Sequence, residues 1–391
     1  MEKKLWSKEF MAIVASNLLM AWAFYALMPT LPIYLLETLK ISHRNVGLAI
    51  AVFSISAVLV RPISGYLVDN YYRSGVLIAA LFLITAAYGI YPLISTVSAI
   101  FLLRFVHGAL WGICTSSSAP IVADIVPPSQ IGQGIGIYAL TIPVGMTIGP
   151  WFGLEVLKGQ GPNRMFLAIL GVSFFSLLFA FCARTPFKPS NRKKFSLAGL
   201  FHKKALPISF CMFFVMIAYG AIIVFVGIYA AQKGFSHVGA FFLCLSSSIF
   251  LSRLFAGILF DKGYVSQLIL VGLAITAVGK LLLGYARNPV QFLAAGMISG
   301  FGFGIVMPTS QAAINCLVKS TERGAANSTY LISYDLGVGA GSLIIGFLSD
   351  TVSLGEIYRY TVVLIVLAAG IFMLHALPHY HRNRQAGGVT P

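Results

Sequence analysis

Twelve long apolar runs fill most of this sequence, and they limit the possible folds more than any other feature. Each run is long enough to cross the roughly 30 Å hydrocarbon core of a bilayer, which takes about 20 helical residues. Only helices and closed barrels cross a bilayer, because every backbone polar group there must be hydrogen-bonded within the protein. We therefore predict an all-α membrane protein with twelve transmembrane helices. The predicted spans are 10–36, 45–68, 75–96, 98–122, 131–156, 164–184, 205–231, 238–260, 265–286, 289–316, 324–349 and 357–377.

The composition excludes a soluble globular fold. Of the 391 residues, 58% are hydrophobic and 10% are charged, whereas soluble domains are about half apolar and about a quarter charged. The sequence also lacks the patterns typical of enzymes and metal proteins. None of its five cysteines belongs to a CxxC or Cys/His set, and there is no HExxH motif or nucleotide-binding loop. We predict no enzymatic activity, no metal site and no cofactor.

The net charge of +16 indicates how the chain is oriented in the membrane. If both termini are inside, sixteen of the 27 Lys and Arg residues lie in inner segments, seven in outer segments and four within spans. Inner loops are enriched in these residues, so both termini are predicted to be cytoplasmic. The expected location is the plasma membrane, which in a bacterium is the inner membrane. Because no basic patch alternates with exposed aromatics, nucleic-acid binding is not expected.

The two halves of the sequence are copies of one another, related by a shift of 192 residues without a gap. The aligned residues share type and spacing: Arg61, Gly65, Leu67 and Asp69 align with Arg253, Gly257, Leu259 and Asp261. Six spans separate the copies, so both have the same orientation, as in transporters built from parallel repeats. We predict two six-helix bundles, residues 1–184 and 205–391, joined by a polar cytoplasmic linker at 185–204.

The repeated motif reads Gly65-Tyr-Leu-Val-Asp69 at the end of the second span and Gly257-Ile-Leu-Phe-Asp261 at the end of the eighth. It resembles the Gly-x-Leu-x-Asp loop motif of the major facilitator superfamily. The resemblance extends over nearly the whole chain, through its length, its repeat and the positions of its motifs. The two glycines are expected to let neighbouring helices approach closely.

The resemblance implies that Asp69 with Arg73 helps to latch the two halves together on the cytoplasmic side. The sequence departs from the family pattern at Asn70 and Tyr72, where a base and a glycine are usual. The latch of the first half is therefore expected to be the weaker one. The alternative is that these residues are ordinary loop charges.

The fourth span contains Arg104-Phe-Val-His107-Gly108, which is similar to the family's Arg-x-x-Gln-Gly motif. The resemblance implies that Arg104 takes part in coupling or in ligand binding. A guanidinium within a span is costly and usually faces a cavity or a partner; the alternative is that it reaches the outer headgroups. His107 lies one turn deeper on the same face. It either contacts substrate or is a hydrogen-bonded core residue.

The fifth span contains Gly145-Met-Thr-Ile-Gly149-Pro150-Trp-Phe-Gly153. This resembles the Gly-x3-Gly-Pro-x2-Gly motif of exporters in the superfamily, and it is our main reason to prefer export over uptake. Physically, it provides a smooth, kinked helix surface, which we expect to pack closely between the halves. Since Gly-x3-Gly also occurs wherever membrane helices cross, the added Pro150 and Gly153 give the motif its specificity.

Asp335 is the only carboxylate deep within a predicted span. It lies about 11 residues into the eleventh span, roughly 16 Å from the inner surface. An ionised carboxylate is strongly disfavoured at that depth, so a proton can be held there. We hypothesise that Asp335, together with Arg104, couples proton influx to export. The alternative is a static ion pair or a hydrogen bond to a polar neighbour.

The resemblance implies that the first, fourth, seventh and tenth spans line a central cavity. The residues that these spans offer for substrate binding are Tyr25, Arg104, His107, Trp111, Tyr219, Phe303 and Gln311. Aromatics with a few polar groups suit an amphipathic organic compound. Because aromatic residues are plentiful in this chain, the alternative for each is simple packing. Lys280, near the outer end of the ninth span, is expected to reach the headgroups and is assigned no role.

The favoured hypothesis is a monomeric, proton-coupled exporter that works by alternating access, with a small molecule, the proton and the bilayer as its partners. One alternative is a symporter or facilitator for uptake of a metabolite, which counterflow of labelled substrate in oriented vesicles would separate. Another is a membrane sensor that transports nothing, which would tolerate substitution of Arg104 and Asp335.

Overall fold

The computed structural model describes residues 5–127, 130–183, 201–235, 238–319 and 322–384, without the side chains of residues 69, 131 and 132. Most of the predicted linker, 185–200, lies outside the described residues, as does the side chain of Asp69.

Fourteen α-helices make up the described structure, and no strand occurs among the described residues. They are α1 Lys8–Ile33, α2 His43–Asn70, α3 Arg73–Ile90, α4 Val97–Ile125, α5 Ile131–Ala139, α6 Thr141–Gln160, α7 Pro162–Cys182, α8 Leu206–Lys233, α9 Val238–Asp261, α10 Val265–Tyr285, α11 Pro289–Cys316, α12 Arg323–Leu348, α13 Leu354–Ile371 and α14 Leu377–Asn383. Short π-helical turns follow α1 and α13, and 3-10 turns follow α3 and precede α8.

Twelve segments of the described residues are long and apolar enough to cross a membrane. The fifth, Gln133–Gln160, combines most of α5 with α6, and the twelfth, Leu354–Asn383, runs from α13 through α14. The predicted fold class is therefore confirmed. The segments begin and end within a few residues of the predicted spans, because hydrophobic length is what both quantities measure.

The helix ends follow the capping rules that apply in water. Ser7 accepts a hydrogen bond from the backbone N–H of Phe10 at 3.2 Å and so caps α1. Ser353 and Glu356 form a capping box at the start of α13. The ends of α6 and α8 are marked by Gly161 and Gly234, with φ angles of 81° and 71° that glycine adopts without strain.

The chain forms two compact units. One comprises residues 1–39 and 52–197, and the other comprises residues 40–51 and 198–391. The first turns of α2 thus cluster with the second unit, where the backbone of Gly47 lies against Ser342 and Gly346 of α12. The division into six-helix bundles at 1–184 and 205–391 remains a prediction.

Glycine positions define the same helix crossings in each unit. In the first unit, a Cβ on Gly108 of α4 would collide with the carbonyl oxygen of Phe53 in α2. In the second unit, a Cβ on Gly300 of α11 would collide with the carbonyl oxygen of Leu245 in α9. Each of these residues differs from its counterpart by 192 positions, so the repeat seen in the sequence is also a repeat of contacts. Crossings of this kind need a residue without a side chain.

The glycines of the exporter-like motif pack within their own unit. The backbones of Gly145, Gly149 and Gly153 lie against α1, at Ala21, Trp22 and Ala26. The expectation that this surface packs between the halves is therefore wrong for these three glycines. The reason is that α6 crosses α1 backbone to backbone, and only glycine leaves room for that. Pro150 lies buried within α6, between two of these contacts.

The second unit repeats this crossing with α12 and α8. A Cβ on Gly337 would meet Met216 and the carbonyl oxygen of Phe213, and one on Gly341 would meet the carbonyl oxygen of Ile217. These two glycines are the repeat partners of Gly145 and Gly149. These two kinds of glycine crossing therefore occur in both units.

Candidate functional site

Arg104 is fully buried inside the first unit. Its guanidinium carbon lies 4.2 Å from the ring centre of Phe53, and Nη1 approaches the hydroxyl oxygen of Tyr91 at 3.5 Å. The face of an aromatic ring stabilises a cation electrostatically, and more so where water is excluded. Arg104 therefore does not reach the headgroups, which was the alternative.

His107 lies beside Arg104, because residues three apart share one face of α4. Its Nδ1 is 3.1 Å from the Tyr91 hydroxyl oxygen, and its ring centre is 5.1 Å from that of Tyr88. Its Nε2 is buried and has no hydrogen-bond partner among the described residues. Tyr91 is therefore the shared polar neighbour of the arginine and the histidine.

Trp111 continues this cluster along α4. Its ring stacks on Phe24 of α1, with ring centres 3.8 Å apart and planes at 17°. Phe24 also lies 5.5 Å from Phe53 and 5.1 Å from Tyr25. The structure thus brings together four of the residues predicted to bind substrate, Tyr25, Arg104, His107 and Trp111. We refer to them, with Phe24, Phe53, Tyr88 and Tyr91, as the arginine cluster.

The second unit places the other predicted aromatics together. The rings of Tyr219 and Phe303 meet edge to face, with centres 4.8 Å apart, and Tyr219 lies 6.4 Å from Tyr334 of α12. Asp335, the next residue after Tyr334, is partly buried halfway along its helix. A row of aromatic rings therefore leads from α11 through α8 to α12, the helix that carries Asp335.

Lys280 contradicts the expectation that it reaches the headgroups. Its side chain is completely buried, and its amine donates a hydrogen bond to the carbonyl oxygen of Ala218 in α8. The amine nitrogen lies 5.5 Å from the ring centre of Tyr358 and 5.9 Å from that of Phe303. The side chain points into the unit because its face of α10 packs against other helices, while Val278 and Leu281 on other faces are exposed.

Gln311 belongs to an amide network between α11 and α12. Its Nε2 donates to the Oδ1 of Asn327 at 3.1 Å, and the Nδ2 of Asn327 donates to the Oδ1 of Asn315 at 2.9 Å. These amides hydrogen-bond one another near the end of α11 and the start of α12, and all three side chains are partly exposed. The network keeps Gln311 oriented and still partly exposed.

The predicted latch residues have a different environment from the one expected. Arg73 makes two hydrogen bonds to the carboxylate of Asp124 in α4, at 2.7 and 2.8 Å. Both bonds come from Nη1, and charge-assisted hydrogen bonds of this kind hold the two side chains together. Asp261 is exposed at the end of α9 and has no ion pair among the described residues. Arg73, which follows the first copy of the motif, thus has a described charge partner, whereas Asp261 of the second copy has none in the described part of the chain.

Gly65 and Gly257 were expected to allow close helix packing, and the structure contradicts this. A Cβ on either glycine would meet no described atom within 4 Å. Close approaches occur instead at other glycines, among them those of α4, α6, α11 and α12. No steric reason for a glycine at these two positions is visible in the described part of the chain.

The groups gathered in the two units are aromatic rings, amides and buried ionisable side chains. Among the described residues, no group of three or more His, Cys, Asp or Glu side chains could hold a metal ion. Sequence reasoning missed Phe24, Phe53, Tyr88, Tyr91 and Asp124, and it misjudged Lys280. The repeat could have identified Lys280, because the shift of 192 residues places it on Tyr88 of the arginine cluster.

Comparison with known proteins agrees with this architecture. The family model described as Major Facilitator Superfamily matches residues 13–270 and 208–389. The multi-drug resistance efflux pump PmrA of Streptococcus pneumoniae is 26% identical over 318 residues, covering 76% of this chain and 78% of the pump. Its homologue from Lactococcus lactis is 25% identical over 353 residues, covering 84% of this chain and 87% of the homologue.

A solved structure has the same fold. The bacterial homologue of the human lysosomal transporter Spinster, in an inward-facing and unoccupied conformation, superposes with a TM-score of 0.78. The alignment covers 99% of this chain and 100% of that one, at 15% sequence identity.

Proposed function

Since the chain belongs to the major facilitator superfamily and is a multi-pass membrane transporter rather than an enzyme, we propose that it exports an amphipathic organic compound in exchange for protons. The transporter works by alternating access, acts as a monomer, and lies in the plasma membrane, in a bacterium the inner membrane, with both termini in the cytoplasm. The relatives named as efflux pumps and the Gly145-to-Gly153 motif support export as the direction.

The position of Asp335 is the observation that carries the proton coupling. Among the Asp and Glu residues that the structure describes, it alone lies in the middle of a span, the segment Arg323–Leu348. A carboxylate at that depth is stable when protonated or paired, and it marks an ion pathway more often than a structural site. We propose that Asp335 takes up a proton from outside and releases it inside, and that each cycle moves substrate the other way.

The aromatic groups of the two units support the substrate class. The stacked pair Phe24–Trp111 and the edge-to-face pair Tyr219–Phe303 offer flat apolar surfaces. Gln311 offers a hydrogen-bonding amide that is partly exposed. Such a combination suits an organic molecule with a hydrophobic body and a few polar groups. In our proposal Arg104 contributes a positive charge to proton coupling and to substrate binding.

The test uses purified transporter in proteoliposomes with an imposed pH gradient. A thermal-shift screen of metabolites and drugs first identifies a ligand, and its labelled form is then followed. Asp335→Asn is expected to lower gradient-driven accumulation by at least about tenfold, a coupling free energy of ~1.4 kcal/mol. It should still allow counterflow, because exchange of labelled for unlabelled substrate needs no net proton movement.

The matched control is Glu155→Gln, which removes an exposed carboxylate from α6 and should change neither reaction. Undiminished gradient dependence in Asp335→Asn would reject Asp335 as the coupling group. Accumulation on the side to which protons flow would reveal symport and overturn the proposed direction. A protein that moves none of its thermal-shift ligands would favour the sensor alternative.

A further inference from the structure

Lys280 of α10 is buried where the described residues offer few hydrogen-bond acceptors to an ammonium ion. The ion carries three N–H donors, and its one described hydrogen-bond acceptor is the carbonyl oxygen of Ala218. No carboxylate pairs with Lys280 among the described residues. A buried charge without an opposite charge is disfavoured by several kcal/mol even after relaxation.

The aromatic neighbours do not offset that cost. The rings of Tyr358 and Phe303 lie 5.5 and 5.9 Å from the amine nitrogen. Cation–π attraction is significant only within about 6 Å of the ring centre. Both rings are close to that limit. The neutral amine is therefore the favoured form of Lys280 in this conformation.

The other ionisable groups on the helices packed around Lys280 leave this conclusion unchanged. Tyr358 of α13 has Tyr229 of α8 as its neighbour, with ring centres 5.3 Å apart, and both are uncharged phenols. Arg359 and Glu356 of α13 pair with each other at 3.7 Å. The guanidinium of Arg359 lies over the ring of Tyr285, at the end of α10. Helix α11 carries no charged residue.

The repeat gives an independent reason to assign Lys280 a function. The shift of 192 residues places Lys280 on Tyr88 and Ser299 on His107. Tyr88 and His107 are in contact across α3 and α4, and the backbone next to Lys280, at Gly279, lies against Ser299 across α10 and α11. Both units therefore place a group that can bind a proton at the same helix crossing, His107 in the first and Lys280 in the second.

We propose that Lys280 is a second proton-binding site of this transporter. When water reaches the crossing of α10 and α11, the lone pair of Nζ accepts a proton from hydronium. The hydronium ion becomes a water molecule, and the amine gains a third N–H bond. When the crossing closes again, the ammonium ion returns that proton to water. Phe303 and Tyr219 link this site to Tyr334, the neighbour of Asp335. This inference rests on the proposed proton-coupled export.

The first test counts protons and needs no transport. The pH of purified protein in detergent is lowered across the neutral range. The number of protons taken up per molecule is measured for the unaltered chain and for Lys280→Met. We expect the variant to take up about one proton fewer, because the amine is then absent. Lys233→Met is the matched control: this lysine is exposed, and its amine also lies 5.9 Å from an aromatic ring. Lys233 is not part of the proposed site, so the control should match the unaltered chain.

Equal proton uptake by Lys280→Met and the unaltered chain would overturn the proposal. Lys280→Gln serves as a second variant, so that a folding defect in one of them does not decide the result. Proton uptake is measured without substrate, so its outcome is independent of the Asp335→Asn transport assay. If that assay finds no gradient dependence but Lys280→Met still loses a proton, the proposed function fails and the site at Lys280 stands.

The second test measures protons moved per substrate in proteoliposomes. Lys280→Met should retain counterflow but move fewer protons per substrate than the unaltered chain. Lys280→Arg should stall both reactions, because a guanidinium does not give up its proton. An unchanged proton-to-substrate ratio in Lys280→Met would show that the amine takes no part in the cycle and would overturn the proposal.

Discussion

The two units of this transporter bury a basic residue in opposite ways. In the first unit Arg104 lies on the ring of Phe53 and reaches the hydroxyl of Tyr91. In the second unit the amine of Lys280 has one described hydrogen-bond acceptor, a backbone carbonyl oxygen. Two aromatic rings lie near the largest distance at which cation–π attraction is significant. The first arrangement suits a charge that is never lost. The second suits a group whose charge changes during the cycle. The same helix arrangement, repeated in the two units, thus surrounds a basic residue with two different electrostatic environments.

The comparison depends on the claim that both units share one frame, and glycine substitutions test it with the largest expected effect. Gly108→Val and Gly300→Val should each destabilise the protein by about 3 kcal/mol, because the new side chain overlaps a neighbouring backbone carbonyl. Thermal unfolding in detergent measures the loss. Gly171→Val is the control, since a Cβ there meets no described atom within 4 Å. If only one of these two variants were destabilised, the claim that both units share this helix crossing would be rejected.

Substitution of Arg104 tests the permanence of the charge in the first unit and should have the next largest effect. Arg104→Met is expected to abolish gradient-driven transport and counterflow alike, which would separate it from Lys280→Met. Arg104→Lys keeps a charge but loses the planar contact with Phe53, and should slow transport about tenfold. Arg44→Lys is the control, because its guanidinium lies 4.5 Å from the ring of Phe347 on an exposed side chain. Full activity of Arg104→Met would remove the contrast between the units.

The smallest expected effect concerns the two copies of the loop motif. Asp124→Asn removes the carboxylate that Arg73 grips in the first unit and should lower stability by about 1 kcal/mol, since the pair is largely shielded from water. Asp261→Asn in the second unit should change stability by less than about 0.5 kcal/mol, because its side chain is exposed. Melting temperatures of both variants decide the matter. Equal losses of stability would mean that Asp124 and Asp261 contribute equally to the stability of the fold.

Much of the fold could be predicted from the sequence, and the reason is physical. The length of an apolar run sets whether a helix spans the bilayer, and the shift of 192 residues reveals the repeat directly. The clustering of residues 40–51 with the second unit was not predictable in the same way. That assignment depends on the contact of Gly47 with Ser342 and Gly346, and no local sequence pattern predicts a contact between residues so far apart in the chain.

The candidate site was predicted less completely, because the apolar pattern of a spanning helix gives depth but not direction. In a bilayer both the lipid-facing and the protein-facing sides are apolar, so periodicity does not separate them. The burial of Arg104 followed from its cost in lipid. The burial of Lys280 did not, since a lysine at the same depth satisfies the same rule by extending outward. Phe53 and Tyr91 were missed because nothing in an aromatic residue's type tells packing from function.

The glycine crossings also determine which parts of the molecule can move alone. Where one backbone rests directly on another, the two helices share a contact with no flexible side chain to absorb a displacement. The couples α1 with α6, α2 with α4, α8 with α12 and α9 with α11 are joined in this way, and Gly279 and Gly302 join α10 to α11 as well. During a transport cycle, the smallest moving part of this protein is therefore a helix couple rather than a single helix.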